Sequence, residues 1–408
     1  MASLTDKLKE LGVQVGTSQL KTPATNHHST RSLIDVLPGS WESTSGGDCF
    51  VVRKTIPFHT KHGLRNLKGL PSMEFFEALD HLKGISAATP EEFLFIDTET
   101  TGLSGGAGTY VFLVGAAKYE KDSLNFAQFF LQDPQSESAQ LSALERYVAD
   151  AKVIVSYNGK SFDLPRIKSR YRFHGWPNPF ENIYHIDLLH IARRLWKPHL
   201  PGCTLGDLEE HIIGLQRDNL DIPGWQISEF FYEYMQSGDP SPLENIFYHN
   251  EVDVISLAAL LEYIADRLSI PLSKEFKNEP DLVSIGNYFY SLHLFSEAQA
   301  ILTTALSNPD LSGAILLKGK LSLAAIHKRR ANYDLAVPIW KECAELGSFD
   351  ALIELAKYAE HKLFDFEEAL HWTLSAYDSL HIFPPSKRAA VISLLDHRLR
   401  RLKIKVKR

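Results

Sequence analysis

The sequence predicts an α/β domain, a mixed sheet flanked by helices, followed by an all-α helical region. Three observations point there. Between residues 92 and 189, short apolar runs of strand composition alternate with stretches of helical periodicity. From residue 280 to residue 400 no strand pattern occurs, and Ala and Leu recur at helical spacing. The chain has 408 residues, 44% of them apolar and 23% charged. At roughly 150 residues per domain it holds two or three domains, and it can bury a core without disulfide or metal staples.

Taken in order, residues 17–50 are rich in Ser, Thr, Gly, Pro and His and read as a loop or loosely packed arm. Cys49–Pro57 (CFVVRKTIP) is β-rich and reads as a strand folding back on the main domain, and Glu74–Leu82 has helical spacing. From Glu92 the pattern sharpens. Phe93–Asp97 (FLFID) is a short buried strand, Thr109–Tyr119 a second, and Leu124–Leu131 a third with alternating polarity. Ser136–Ala151 has helical periodicity. Val153–Tyr157 is a fourth strand, followed by a helix over Leu164–Phe173, and Ile183–Leu189 is a fifth strand running into a helix. Beyond Gly202 the chain is mostly helical, and Leu243–Leu268 closes the domain.

The helical region carries a weak internal repeat. Asn332-Tyr333-Asp334-Leu335-Ala336 recurs as Phe364-Asp365-Phe366-Glu367-Glu368-Ala369, with Ala336 and Ala369 33 residues apart, and a further copy centres on Phe295-Ser296-Glu297-Ala298. This period, with an aromatic three residues before an Ala, resembles tetratricopeptide repeats, whose small residues let paired helices approach. A plain helical bundle is the alternative. Lys387–Arg408 holds nine basic residues and one acid, a charge of about +8 against a net charge of −7 for the whole chain. A basic tail on an acidic body suggests contact with an anionic polymer; a solubilising helix end is the alternative. The net charge excludes a uniformly basic coat. No run approaches 18 apolar residues, and Met1–Leu11 lacks the apolar core of a signal peptide. Three widely spaced cysteines (Cys49, Cys203, Cys343) exclude a disulfide framework or a cysteine zinc site and fit reduced thiols in the cytoplasm.

The chemistry gathers on carboxylates. Asp97-Thr98-Glu99 ends the first buried strand, and carboxylates two residues apart on a strand project to one face. Acids there cost solvation energy unless a cation pairs with them, and hard Mg²⁺ or Mn²⁺ ions prefer such oxygen ligands. Asp163, in Tyr157-Asn158-Gly159-Lys160-Ser161-Phe162-Asp163, lies at the start of the next helix, where an Asp also suits an N-cap. In His249-Asn250-Glu251-Val252-Asp253 a helix puts His249 and Asp253 on one face, and the apolar run Val254–Leu261 anchors them against the sheet. Asp97, Glu99, Asp163 and Asp253 are four carboxylates able to bind two metal ions roughly 4 Å apart, one polarising a water and one stabilising a leaving oxygen.

Asp97-Thr98-Glu99-Thr100-Thr101-Gly102, the Asn-Gly-Lys-Ser-Phe-Asp segment and the final His-Asn-x-x-Asp together resemble the DEDD superfamily of 3′–5′ exonucleases, which have a ribonuclease-H-like fold. The YprB-type group is similar over about residues 45–270 and often carries tetratricopeptide-like repeats behind the nuclease domain. Leu103–Gly115, His185-Ile186-Asp187-Leu188-Leu189 and Asp221-Ile222-Pro223-Gly224 extend the resemblance. It implies metal-dependent hydrolysis of nucleic acid from a 3′ end, single-stranded DNA or RNA being the expected substrate. With the residue reading above, the expected layout is an N-terminal arm over 1–44, partly loop, a ribonuclease-H-like exonuclease domain over 45–270, helical repeats over 280–397 and a basic tail over 398–408. The superfamily places a Tyr four residues, or a His five residues, before its last Asp. Here His249 takes the Tyr spacing and Tyr248 the His spacing. An imidazole near pKa 6.5 takes a proton at neutral pH more readily than a phenol near 10, which favours His249 as the residue that assists the water.

Thr98, Thr100, Asn158, Lys160 and Tyr248 are the candidate substrate-binding residues beside these acids, Lys160 as a phosphate contact. Lys168, Arg170 and Arg172 lie near Asp163 among Phe162, Tyr171, Phe173 and Trp176, as cations and stacking faces for unpaired nucleotides. Asp187 faces the site or pairs with Arg193 or Arg194. Ser104–Gly108 lacks the ending of a nucleotide-binding loop and reads as a tight connection beside the acids. The alternative function is a catalytically silent nuclease-like scaffold that binds protein or nucleic-acid partners through the helical repeats and the tail.

Overall fold

The computed structural model describes residues 31–70, 88–102, 108–198, 200–218, 220–273 and 281–407. The expected helix over Glu74–Leu82 and the Ser104–Gly108 connection up to residue 107 lie outside the described residues. The strands are β1 (Gly39–Thr44), β2 (Gly47–Pro57), β3 (Lys61–His62), β4 (Arg65–Asn66), β5 (Phe93–Thr100), β6 (Val111–Tyr119), β7 (Ser123–Phe130), β8 (Val153–Ser156) and β9 (Tyr184–Asp187). Seven of them form one mixed sheet in the order β1-β2-β7-β6-β5-β8-β9, while β3 and β4 make a small separate ribbon. The first five strands in that order pair antiparallel, and β5-β8-β9 are parallel.

Alternation along β5 explains the layering. Phe93 and Phe95 enter a core with Val153, Val155 and the apolar residues of α7 (Leu243–Ser269). Leu94 and Ile96 enter the opposite core, with residues of α2 (Glu137–Val148) and α3 (Asp163–Phe173). All four β5 residues are fully buried, which is why this strand reads as a continuous apolar run rather than an alternating one. β1 overturns the reading of residues 17–50 as loop up to Cys49. It pairs with β2 from Gly39↔Val52 to Thr44↔Gly47. Its sequence, GSWEST, stays half-buried or exposed on both faces, so no hydrophobic period marks it.

The remaining helices of the first part are α1 (Leu33–Val36), α4 (Leu188–Leu195), α5 (Leu205–Leu208) and α6 (Gly224–Ser237). α7 is 27 residues long, about 40 Å at 1.5 Å per residue. Its second half is buried almost without interruption from Val254 to Ala265. The sheet lies on one side of it, and Leu282, Ile285, Tyr288, Ala298 and Ile301 join the same core. The all-helical region continues as α8 (Leu282–Ser291), α9 (Phe295–Ala305), α10 (Gly313–Arg329), α11 (Tyr333–Glu345), α12 (Phe349–Tyr358), α13 (Phe366–Asp378) and α14 (Pro385–Val406). Ala298, Ala336 and Ala369, the repeated alanines, are all fully buried. No helix among the described residues is long and apolar enough to cross a membrane.

The basic C-terminal segment belongs to α14, and three of its cations turn inward. Arg398, Arg401 and Lys405 close on the buried Glu360 carboxylate at 3.1, 2.8 and 2.9 Å. These charges are neutralised within the fold rather than offered to a polymer. Burial by itself pushes the Glu360 carboxyl up, but the hydrogen bonds and charges of Arg401 and Lys405 outweigh it and hold the group at about 2. The folded value lies below the unfolded one, so the contribution is fully present above about pH 4.5 and is lost as pH falls toward 2. Glu360→Gln is expected to cost about 2 kcal/mol at pH 7, because a buried acceptor loses its charge while its partners keep partial access to water. Urea unfolding of the two proteins at pH 7 and pH 3 checks this: the gap between them narrows at the lower pH.

Candidate active site

The site forms where β5 outruns its neighbour. β8 pairs with β5 only over Phe93–Phe95, whereas β6 accompanies it to Thr100. Asp97–Thr100 therefore project past the carboxyl end of β8, at the point where the sheet changes from antiparallel to parallel. In open α/β sheets such a change of order leaves a crevice. Asp97 and Glu99 continue the face of Phe93 and Phe95, toward α7; Thr98 takes the opposite face, toward α3.

Three of the four acids, Asp97, Asp163 and Asp253, are oriented by a neutral or cationic partner. Asn250 Nδ2 donates to Asp97 Oδ2 at 3.0 Å. Asn250 is itself fully buried, and its Oδ1 accepts from Gln128 Nε2 at 3.0 Å. Gly115 stands opposite Asp97 in the ladder, and a Cβ there would lie 2.1 Å from Asn250 Oδ1; only glycine admits this amide. Asp163 occupies the first turn of α3, with Phe162 and not Asp163 at the cap position. Thr98 Oγ1 donates to Asp163 Oδ1. A Cβ on Gly159 would come within 2.3 Å of Ser156 Oγ and 2.9 Å of Asp163 Oδ2, so that glycine lets the loop close over the acid. Asp187 corrects a sequence expectation. It bonds neither arginine: its carboxylate accepts the backbone N–H groups of Asn158 (2.8 Å), Lys160 (3.2 Å) and Leu189 (3.1 Å). It clamps the Asn158–Lys160 turn and caps α4, and Asn158 there adopts φ +62°.

Asp253 and His249 lie on one face of α7 and meet Arg217, a residue of the loop after Gly214. Arg217 Nε and Nη2 hold both oxygens of Glu209 at 2.7 Å. Nη2 also donates to Asp253 Oδ1, and Nη1 to Asp221 Oδ1 at 3.2 Å. His249 Nδ1 lies 2.7 Å from the same Asp221 oxygen. Arg217 Nη1 lies 3.2 Å from the same Nδ1, and Nε2 stands 3.5 Å from Asp253 Oδ2, so the ring is held between two carboxylates and a guanidinium.

The acids act on one another. Burial, then the charges of Asp253 and Asp163, push the Asp97 carboxyl well above the usual range. Burial and the charges of Asp97, Asp253 and Asp163 do the same to Glu99. Burial raises Asp163 to about 6 against the opposing Thr98 hydrogen bond. Burial also raises Asp253, opposed by His249 and Arg217. As the side chains stand, Asp253 is turned to Arg217, Asp163 to Thr98 and Asp97 to Asn250. Among the described residues, no three His, Cys, Asp or Glu side chains are close enough to share one ion. The donor set is nonetheless all oxygen, anionic and withdrawn from water, which suits a hard divalent cation.

Two hollows divide the candidate residues. One, of 520 Å³, is lined by Asp97, Thr98, Glu99, Thr100, Asn158 and Asp163, with Phe162, Arg166 and Trp225 at its walls. The other, of 420 Å³, is lined by Glu209, Arg217, Asp221, His249 and Asp253; Gly224 borders both. Lys160 and Tyr248 line neither. Lys160 is exposed. Burial raises the Tyr248 phenol, which hydrogen-bonds to Asp218. Arg170 is not available to phosphate: it is buried and holds Glu137 at 2.5 and 2.7 Å. Tyr171 is buried and Trp176 packs against the same core. Arg166, Arg217 and Trp225 are site residues that the sequence reading passes over. Trp225, 68% exposed at the start of α6, has one signal, a large aromatic directly after Pro223-Gly224.

Comparison with known proteins agrees with this architecture. Residues 94–265 match the model of the RNase_H superfamily. The chain is 29% identical over 334 residues to the uncharacterized protein YprB of Bacillus subtilis (strain 168), covering 79% of this chain and 78% of that protein. It also resembles the family B DNA polymerase of the hyperthermophilic archaeon Pyrobaculum calidifontis, with a TM-score of 0.36 and 16% identity over 69% of this chain, and it spans about a third (34%) of the polymerase's length. The mixed sheet and the family match over residues 94–265 show a ribonuclease-H-like fold, and an all-helical region follows it.

Proposed function

We propose that this protein is a metal-dependent 3′–5′ exonuclease acting on single-stranded nucleic acid. The observation that carries the reading is the convergence of Asp97, Glu99 and Asp163 on one hollow with Asp253 in the adjoining one; burial first, and then the charges of the neighbouring acids, lift the carboxyls of Asp97 and Glu99 well above their ordinary range. Acids gathered from three separate elements at such a cost call for a cation. Asp97, Glu99, Asp163 and Asp253 are the set from which ligands to Mg²⁺ or Mn²⁺ come. Bound there, the metal supplies polarisation of a water and stabilisation of charge on the departing oxygen.

The chain's own groups do the rest. Asn250 fixes one oxygen of Asp97, and Thr98 fixes one oxygen of Asp163. Asp221 holds His249 at Nδ1 and leaves Nε2 facing Asp253, a placement beside the acids that suits the ring to assist an attacking water. Trp225 and Phe162, 68% and 40% exposed, offer ring faces to unpaired bases, and the Arg166 guanidinium lies 5.0 Å over the Phe162 ring, within reach of a phosphate. Thr98, Thr100 and Asn158 line this cleft as substrate contacts. Stacking favours a frayed or single strand over a duplex. The buried Ala298, Ala336 and Ala369 support a tetratricopeptide-like stacking of the following helices, a surface for a protein partner.

Asp97→Asn is expected to leave the circular dichroism spectrum intact and to lower Mn²⁺-dependent digestion of an end-labelled oligonucleotide by on the order of 10²- to 10³-fold. Equal digestion by parent and variant would end the proposal. Trp225→Ala is expected to raise KM for single-stranded substrate roughly tenfold, in line with about 1–3 kcal/mol of stacking per base. A fall confined to kcat would remove Trp225 from substrate binding.

A further inference from the structure

The sequence expectation of two ions meets an obstacle at Asp253. Its Oδ1 already accepts from Arg217, and Arg217 is not a loose surface side chain. Nε and Nη2 form a two-pronged bond to Glu209, both at 2.7 Å, and Glu209 is only 2% exposed. Nη1 reaches Asp221 at 3.2 Å. Four of the five N–H groups of the guanidinium are thereby committed to three carboxylates. Swinging Arg217 out to admit a metal would strand the buried Glu209 without a partner. The same commitment leaves little of the guanidinium for a substrate phosphate, so it is not placed as a phosphate clamp. The loop geometry supports its permanence. Gly214 adopts φ +70°, and Leu215 N–H donates to Glu209 O at 2.7 Å, so the backbone that presents Arg217 is tied to the residue that grips it.

We propose that Arg217 is the resident cation of the Asp253 side of the cluster, and that the site consequently takes one divalent ion, on the β5 side, where one or two carboxylates with water or substrate oxygens suffice to hold Mg²⁺. The inference rests on the metal-dependent reading above and specifies how that site is charged. Arg217 neutralises Asp253 and keeps Asp221 in place to hold His249, while the exchangeable metal works on the β5 side of the crevice.

The test is calorimetric titration of the full chain with Mn²⁺, reading stoichiometry rather than activity. The parent is expected to bind one ion, Arg217→Lys one, and Arg217→Gln two. Because Arg217→Gln leaves Glu209 unpaired and can unfold the loop, the double change Glu209→Gln with Arg217→Gln is measured beside it, and two ions are expected there also. Two ions in the parent, or a single ion in both the folded Arg217→Gln variant and the double variant, overturns the assignment of Arg217 and leaves the metal-dependent reading standing. No binding by the parent, or binding undiminished by Asp97→Asn, overturns the metal-dependent reading and this inference with it.

Discussion

Electrostatic crowding at the end of one buried strand governs the rest of the molecule. β5 carries four residues wholly withdrawn from water and then, with no intervening loop, two carboxylates on one face. α3 and α7 bring two more acids within electrostatic reach. In a low-dielectric crevice each negative charge raises the cost of the next. The surroundings answer with a hydroxyl on Asp163, an amide on Asp97 and a guanidinium on Asp253.

Those answers require a rigid frame, and the frame is visible in the spacing of small residues. Gly115 leaves room for the Asn250 amide, and Gly159 leaves room for the Asp163 carboxylate. Gln128, one strand further out, holds Asn250 from behind at 3.0 Å. A side chain added at Gly115 would displace Asn250 before it touched Asp97, so the acid is positioned through a chain of neutral contacts running across three strands.

Much of this was legible from sequence because it depends on local period. The apolar runs at 93–97, 109–119, 124–131 and 153–157 became β5, β6, β7 and β8 with ends shifted by a few residues, since burial on both sides of a sheet imposes continuous hydrophobicity. Asp97, Glu99, Asp163 and Asp253 were legible because acids beside apolar runs contradict the solvation pattern around them. β1 was not, because an edge strand half in water has no such pattern. Arg217 and Trp225 were not, because a single residue in a loop acquires its meaning only from what the fold places opposite it. Asp187 pairs with backbone amides, which sequence shows at every position alike.

α7 has a consequence beyond the acids it carries. From Val254 to Ala265 it is enclosed on all sides, by the sheet and by the first helices of the following region, and the buried Arg267–Asp281 pair ties its end to the start of α8. One rod serves as the floor of both halves. Severing the chain after Ser273 would strip that rod along its length, baring a greasy stripe and parting Arg267 from Asp281. The sheet-bearing half is therefore not an excisable module, because the helices behind it cover its floor.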